Sequence, residues 1–349
     1  MKIIFTSGGS QLLTQIAVLK AKNYKLKDFH LIYIGIYNTN LNAFFNEVSR
    51  FYNFLSYTHL EFNINPFEVN IKQVVKNILR NKRLFDFSSI EKKFPQLVYF
   101  KNANTIIIPI RVKVFSDVLL MSYLNPKKTI FTIDGYVDLL PERKFKFSRY
   151  LYLNSELKDI PINNFVYSPD YLRNEAKKVG KYKEIKINDT ISNFIKLDLV
   201  KDFEKLYLNR KIAYLFFSQH FSLTENVNIE NEILFIENVV RSLNLHKEDV
   251  FLYKPHPRDT EEKIKLLNEK KIKNIRIIDS VYQALPIELF YDYFVINKTK
   301  LITCNSSAPL IFKADLEINI YKSEKYFNPN LNNKISDFSS QYNFKLFNI

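Results

Sequence analysis

Residues 249–271 read DVFLYKPHPRDTEEKIKLLNEKK and contain three kinds of pattern in succession. DVFLYK has the length and apolar content of a buried strand, and EEKIKLLNEKK has its apolar residues at helical spacing. Between them, His256 is bracketed by two prolines. Because a proline restricts its own backbone and that of the residue before it, the imidazole has few directions available. The stretch predicts a strand, a constrained loop and a helix.

The same alternation extends through most of the chain. Strands are predicted at 2–7, 29–37, 104–110, 129–134, 211–219, 249–254, 275–279 and 300–305. Helices are predicted at 11–22, 42–55, 231–243, 261–271, 285–294 and 308–314. Alternation of this kind predicts an α/β protein whose parallel sheets are covered on both faces.

Length and local composition predict two domains. A chain of 349 residues is long enough for about two domains, and the stretch 157–189 loses the alternation and gains Pro, Asn and Lys. We therefore predict Rossmann-like, doubly wound domains over 1–160 and 161–349 that face each other across a cleft. In such sheets ligands bind at the carboxyl ends of the strands, so functional residues are expected there.

The charge indicates acidic partners. The formal net charge is +15, and the lysines are spread along the chain, which disfavours a nucleic-acid-binding face. The single cysteine, Cys304, allows no internal disulfide, and no apolar run has the length of a signal peptide or a membrane span. We expect a cytoplasmic protein, and a peripheral contact with an anionic membrane and a homodimer are both left open.

Two glycine-containing turns follow predicted strands in the first half. Gly8 and Gly9 come after the first strand, where the backbone has either to approach a ligand closely or to make a tight turn. Asp134 ends TIFTID just before Gly135, a position suited to a general base. Asp-Gly is also a common turn dipeptide, and Asp138 is a rival for the same role.

The second half offers groups that suit a phosphate and a ribose. His256, followed by Arg258, could donate to a phosphate oxygen, and the alternative is a structural histidine bonded to backbone. Ser306 and Ser307 precede a predicted helix, where hydroxyls and free N–H groups bind anions, although a plain N-cap explains one of them. Glu288 could accept from ribose hydroxyls or complement a helix dipole. The other histidines have no metal-ligand spacing.

Taken together, these motifs resemble those of the bacterial sialyltransferases. The order IDG at 133–135, HP at 256–257 and SS at 306–307 is similar to that family's acidic-acidic-Gly, His-Pro and Ser-Ser motifs. The PIE at 286–288 also resembles a Pro-x-Glu of the family. The lipooligosaccharide sialyltransferases and the polysialyltransferases are the nearest groups. One departure is Ile133, which occupies the first acidic position of the motif.

The resemblance implies a GT-B fold and an inverting, metal-independent transfer of sialic acid, or a related nonulosonic acid, from a CMP-activated donor to a lipooligosaccharide or capsule glycan. Asp134 would be the general base, and His256 with the serine pair would stabilise the departing CMP phosphate. The donor-binding residues would be Gly8, Gly9, Pro257, Arg258, Glu288, Ser306 and Ser307. Gly135 and Asp138 would lie on the acceptor side, in the domain 1–160, and CMP would bind the domain 161–349.

Two other functions remain open at this stage. A transferase of wall or capsule assembly that uses CDP-glycerol or CMP-Kdo would share the HP and SS elements on the same scaffold. A non-enzymatic basic protein that binds nucleic acid would explain the charge, but it leaves Asp134, His256 and the serine pair unexplained as a set.

Overall fold

A computed structural model describes most of the chain and confirms the predicted α/β class. The described residues are 1–34, 42–60, 88–109, 120, 123–133, 162–179, 181–256 and 259–349. They form two compact units, one of Met1–Ile36 with Val48–Thr190 and the other of Tyr37–Glu47 with Ile191–Ile349.

In its described residues, the first unit is built on a parallel sheet of seven strands. Its strands are β1 (Lys2–Thr6), β2 (Phe29–Ile34), β3 (Ser56–Leu60), β4 (Thr105–Pro109), β5 (Thr129–Thr132), β6 (Ile162–Pro169) and β7 (Tyr182–Ile185). They are ordered β3-β2-β1-β4-β5-β6-β7. Every residue of β2 and β4 is buried, as expected of parallel strands that are covered on both faces.

The part of the second unit that the structure describes is built on a parallel sheet of six strands. Its strands are β8 (Ile212–Phe217), β9 (Val250–Lys254), β10 (Ile275–Ile277), β11 (Lys300–Thr303), β12 (Ile318–Lys322) and β13 (Lys345–Asn348). Their order, β10-β9-β8-β11-β12-β13, is the doubly wound arrangement in which the chain reverses direction across the sheet at the first strand. The reversal lies between β8 and β11, so the loops after these two strands flank the expected ligand position.

Helices connect the strands. They are α1 (Gly9–Ala21), α2 (Asn42–Phe51), α3 (Ser88–Lys93), α4 (Arg173–Val179), α5 (Asn188–Phe194), α6 (Asp198–Tyr207), α7 (Phe221–Thr224), α8 (Ile229–Ser242), α9 (Glu261–Glu269), α10 (Tyr291–Ile296) and α11 (Pro329–Tyr342). Short 3-10 helices lie at Leu26–Asp28, Pro95–Phe100, Asp170–Leu172, Ser280–Tyr282, Ile287–Phe290 and Ala308–Phe312. Within the described part of the chain, no helix combines the length and the apolar character that a membrane span needs.

The predicted linker and domain boundary are wrong. The stretch 157–189 contains β6, α4 and β7, and both strands extend the first sheet beyond β5. The boundary therefore falls after Thr190 and not at residue 160, and Tyr37–Glu47 belongs with the second unit. The prediction failed because β7 has two exposed residues out of four and lacks the apolar run of a central strand.

In the described part of the chain, asparagine often adopts the left-handed conformation at turns and helix ends. Seven described asparagines have a positive φ: Asn23, Asn53, Asn102, Asn125, Asn226, Asn274 and Asn343. Asparagine tolerates the left-handed region better than other non-glycine residues, so it can replace glycine at a helix end. Asn343, with φ 56°, ends α11 in this way.

Candidate active site

The predicted site residues are divided between the two units, and several of them cannot be placed. Asp134, Gly135, Asp138, Pro257 and Arg258 lie outside the described residues. Gly8 and Gly9 belong to the first unit, and His256, Glu288 and the serine pair belong to the second. The candidate site is therefore the group of described residues that the second unit holds by itself.

A tight turn fixes the backbone at His256. The N–H of His256 donates to Asp259 Oδ2 at 2.8 Å, and the N–H of Asp259 donates back to the His256 carbonyl at 2.8 Å. The Asp259 side chain is 0% exposed, so its carboxylate is shielded from water. These two bonds link the backbone of His256 to Asp259.

A buried ion cluster joins this turn to the loop after β8. Lys263 Nζ, on α9, lies 2.8 Å from Asp259 Oδ1 and 2.5 Å from Glu232 Oε2 on α8. It also donates to the Gln219 carbonyl at 2.7 Å and lies 3.1 Å from Ser218 Oγ. Through these contacts, the Lys263 ammonium group links both loops to α8 and α9.

The hydroxyl of Ser218 completes the cluster. It donates to Asp259 Oδ2 at 2.7 Å and accepts from the Tyr253 hydroxyl at 2.6 Å. Burial alone would lower the pKa of Lys263, but Tyr253, Asp259 and Glu232 outweigh it and raise that pKa. Burial raises the pKa of Glu232, and Lys263 opposes the change. The cluster holds a positive charge between two carboxylates in a region almost closed to water.

The serine pair follows β11, but it does not begin an α-helix. The predicted helix at 308–314 is a 3-10 helix over Ala308–Phe312, so the anion site expected at a helix N-terminus does not form in that way. Ser306 instead makes a local turn. Its N–H donates to Thr303 Oγ1 at 3.0 Å, and its Oγ accepts from the Ala308 N–H at 3.3 Å. A hydroxyl that accepts can also donate, so Ser306 still offers a hydroxyl donor after the end of β11.

Glu288 and Lys254 place opposite charges beside the histidine loop. Glu288 is 2% exposed and lies in the 3-10 helix Ile287–Phe290, where an α-helix was predicted. Lys254 ends β9, and its Nζ donates to the Gln283 carbonyl at 2.9 Å. Burial lowers the pKa of Lys254 to about 8, and the Glu288 carboxylate opposes the shift. Lys254 was not among the site residues predicted from the sequence, although it directly precedes Pro255 and His256.

His220 is a second histidine that the sequence did not single out. It follows Phe217, the last residue of β8, by three positions, and its ring centroid lies 4.1 Å from that of His256. Because β8 lies between β9 and β11, the His220 loop lies between the other two loops of the site. His220 has no metal-ligand spacing, and the feature that marks it in the sequence is its position after a predicted strand.

The glycines after β1 do not have a positive φ. Gly8 is the N-cap of α1 with φ −160° and ψ 156°, an extended conformation open to any residue. A Cβ at Gly8 would meet Gln11 Cδ at 3.8 Å, an ordinary contact. The fold therefore does not require glycine at position 8, and the donor-binding role of Gly8 and Gly9 stays a prediction.

Ile133, which stands at the first acidic position of the acidic-acidic-Gly motif, is buried. It is 0% exposed, and its N–H donates to the Tyr167 carbonyl of β6 at 2.8 Å. We predict that Ile133→Asp lowers the free energy of unfolding by about 3 kcal/mol or more, because it buries a carboxylate without a partner. Urea denaturation measures this, with Ile133→Val as the control for a lost methyl group. Equal stability of Ile133→Asp and the wild type would contradict the prediction.

Comparison with known proteins shows the fold. The chain matches the GT-B domain of a sialyltransferase from Photobacterium damselae with a TM-score of 0.50, 13% identity and 100% coverage of both chains. It also matches a UDP-GlcNAc 2-epimerase from Neisseria meningitidis with a TM-score of 0.47 and 11% identity, over 98% of this chain and 91% of that one. No family model matches the sequence, and no curated protein does. The chain thus has the predicted GT-B fold of two Rossmann-like units.

Proposed function

We propose that the protein is an inverting glycosyltransferase that moves sialic acid, or a related nonulosonic acid, from a CMP-activated donor to a hydroxyl of a cell-surface glycan. The observation that carries the proposal is the order of the second sheet. The histidine loop, the His220 loop and the serine pair follow the adjacent parallel strands β9, β8 and β11, at the point where the strand order reverses. Ligands of open α/β sheets bind at this point.

The groups at these strand ends suit a leaving phosphate. Neighbouring strands lie about 4.8 Å apart, so the loops after β9 and β11 are separated by roughly 10 Å. Side chains that reach inward from the two loops can contact one phosphate between them. His256, Ser306 and Ser307 would donate hydrogen bonds to it and stabilise the negative charge that builds up as CMP departs.

The nucleoside would bind beside the same loops. Glu288, a buried carboxylate, would accept from the two ribose hydroxyls, and Lys254 would add positive charge nearby. We assign Pro257, Arg258, Gly8 and Gly9 to the donor as well, as the motif order suggests. Side chains supply the positive potential in this scheme, so it assigns no metal or other cofactor.

Asp134 would act on the acceptor, with Gly135 and Asp138 nearby in the sequence. Its carboxylate would take the proton from the acceptor hydroxyl while that oxygen attacks the anomeric carbon. The bond from the anomeric carbon to the CMP oxygen breaks, and its electron pair leaves on the phosphate. The net charge of +15 suits an acidic donor and a glycolipid acceptor at an anionic membrane face.

A donor panel tests the proposal. Transfer and hydrolysis are measured with CMP-sialic acid, other CMP-nonulosonates, CMP-Kdo and CDP-glycerol, beside the melting temperature with each donor. We expect transfer and thermal stabilisation with one or more CMP-nonulosonates. Activity with CMP-Kdo or CDP-glycerol alone would show that the protein is a transferase of wall or capsule assembly and that its donor is not a CMP-nonulosonate of the proposed kind. Salt-sensitive binding of nucleic acid without any transfer would overturn the enzymatic proposal.

Lys254 makes nucleotide binding sensitive to pH above neutrality. Because its pKa is about 8, the ammonium loses its charge as the pH rises above that value. An anionic phosphate favours the charged form, so the affinity for CMP should fall about tenfold or more between pH 7 and pH 9.5. Isothermal titration calorimetry at constant ionic strength measures this fall.

Lys254→Arg is the matched control, because a guanidinium keeps its charge throughout that range. The affinity of this variant for CMP should stay constant between pH 7 and pH 9.5, and an equal fall in both proteins would remove Lys254 from the site.

The stability of the free protein should change with pH in the opposite sense to its affinity for CMP. Since the folded pKa is about 8 and the ordinary value is 10.5, the contribution of Lys254 to stability rises with pH between these values.

A further inference from the structure

The rings of His220 and His256 contact each other, and the proposed transfer gives this contact no role. Their centroids are 4.1 Å apart and their planes are inclined by 34°. Each ring follows the carboxyl end of a central strand of the second sheet, and the two strands are hydrogen-bonded neighbours. The His220 ring therefore lies against the group that would face the phosphate.

The buried ion cluster holds the backbone beside both histidines. Lys263 Nζ donates to the carbonyl of Gln219, the residue before His220. Through Asp259, the same ammonium is linked to the N–H of His256. Glu232 also accepts from the N–H of Ser222, two residues after His220. Because one set of buried charges fixes both loops, the spacing of the two rings is built into the second unit.

We propose that His220 is a positioning residue, which holds the His256 imidazole in the orientation that its donor phosphate requires. The inference rests on the proposed function. The His256 side chain has two rotatable bonds, and the ring contact restricts the rotation that sets where its ring nitrogen atoms point. The Asp259 turn fixes only the backbone from which the side chain starts. Backbone and ring are thus held by separate contacts.

The proposal predicts that the aromatic ring at position 220 matters and that its nitrogen atoms do not. His220→Phe keeps a ring of similar size, whereas His220→Ala removes it. We expect His220→Ala to lower kcat about tenfold or more, with a smaller change in the donor KM, because misorientation acts on the reacting geometry. His220→Phe should stay within about threefold of the wild type. Equal melting temperatures of the two variants show that the fold is intact.

A double-mutant cycle separates positioning from an independent role. The His220→Ala change is made in the wild type and in His256→Ala, and kcat is measured in all four proteins. If His220 acts through His256, its loss has no further effect once His256 is absent. An equal loss in both backgrounds would overturn the proposal, and so would a His220→Phe variant as slow as His220→Ala.

Two readouts keep the inference distinct from the proposed function. If no donor of the panel is used, the proposed function fails, and the same cycle is then read from the Kd of CMP. Independently of any ligand, a nuclear Overhauser effect between the ring protons of His220 and His256 is expected in the wild type. Its absence, or additive losses of CMP affinity in the cycle, would overturn the positioning role whatever the enzyme transfers.

Discussion

The Asp134→Ala variant is expected to transfer sugar at least about a hundredfold more slowly than the wild type while it binds CMP nearly as well. General-base catalysis contributes roughly 10²- to 10⁴-fold to a rate, and alanine removes the group that would accept the acceptor proton. The residue comes directly after the buried Ile133, which itself follows the last residue of β5. Transfer rates at saturating donor and calorimetric titration with CMP measure the two effects.

Asp138→Ala is the matched control for this experiment. It removes a carboxylate four positions away in the same segment, and it should keep most of the activity. His256→Ala differs from both, since it should weaken transfer and CMP binding together. Transfer at the normal rate by Asp134→Ala would contradict the base assignment, and Asp138 would become the candidate.

The Lys263→Met variant is expected to lose about 3–5 kcal/mol of stability in the second unit, because it leaves the buried carboxylates of Asp259 and Glu232 without a cation. The Lys263 side chain is 2% exposed and the carboxylate side chains are 0% and 3% exposed, so water cannot replace the ammonium. Hydrogen exchange of β8 and β9 measures the loss, since these strands belong to the second unit alone.

Two comparisons make the Lys263 result specific. Lys265 lies on the same helix, is 77% exposed and is 3.9 Å from Glu269, so Lys265→Met should change the stability by less than about 0.5 kcal/mol. Adding Asp259→Asn and Glu232→Gln to Lys263→Met neutralises the unpaired carboxylates and should restore part of the loss. If Lys263→Met were as stable as Lys265→Met, the cluster would not hold the loops together.

The sequence was sufficient for the fold class because the central strands carry continuous apolar runs. β1, β2, β4, β8, β9 and β11 were all predicted, and each lies in the interior of its sheet. The strands β3, β6, β7, β12 and β13 were missed, and three of them, β3, β7 and β13, lie at the edges of their sheets. Only one of the five residues of β3, and one of the four of β7, is buried, so periodicity gives a weak signal there. This weakness also misplaced the domain boundary.

The residues of the candidate site that belong to a short motif could be predicted from the sequence. The charged residues that only the fold brings together could not. His256 and the serine pair were predicted as site residues because each follows a strand with a continuous apolar run. The partners of Lys263 are separated from it by up to 45 residues, and an isolated lysine on a helix resembles any exposed one. His220 could be recognised as a site residue only from the strand order, because the pairing of β8 with β9 brings its ring to His256.

The affinity for CMP is the measurement that tests the central claim most directly, namely that the strand-end loops of the second unit bind the phosphate of the donor nucleotide. Calorimetry is performed on the wild type, on His256→Ala and on a variant that combines Ser306→Ala with Ser307→Ala. We predict saturable binding of CMP that is weakened about tenfold or more in both variants, since each loses hydrogen bonds to a charged group. Unchanged affinity in both variants would contradict the account.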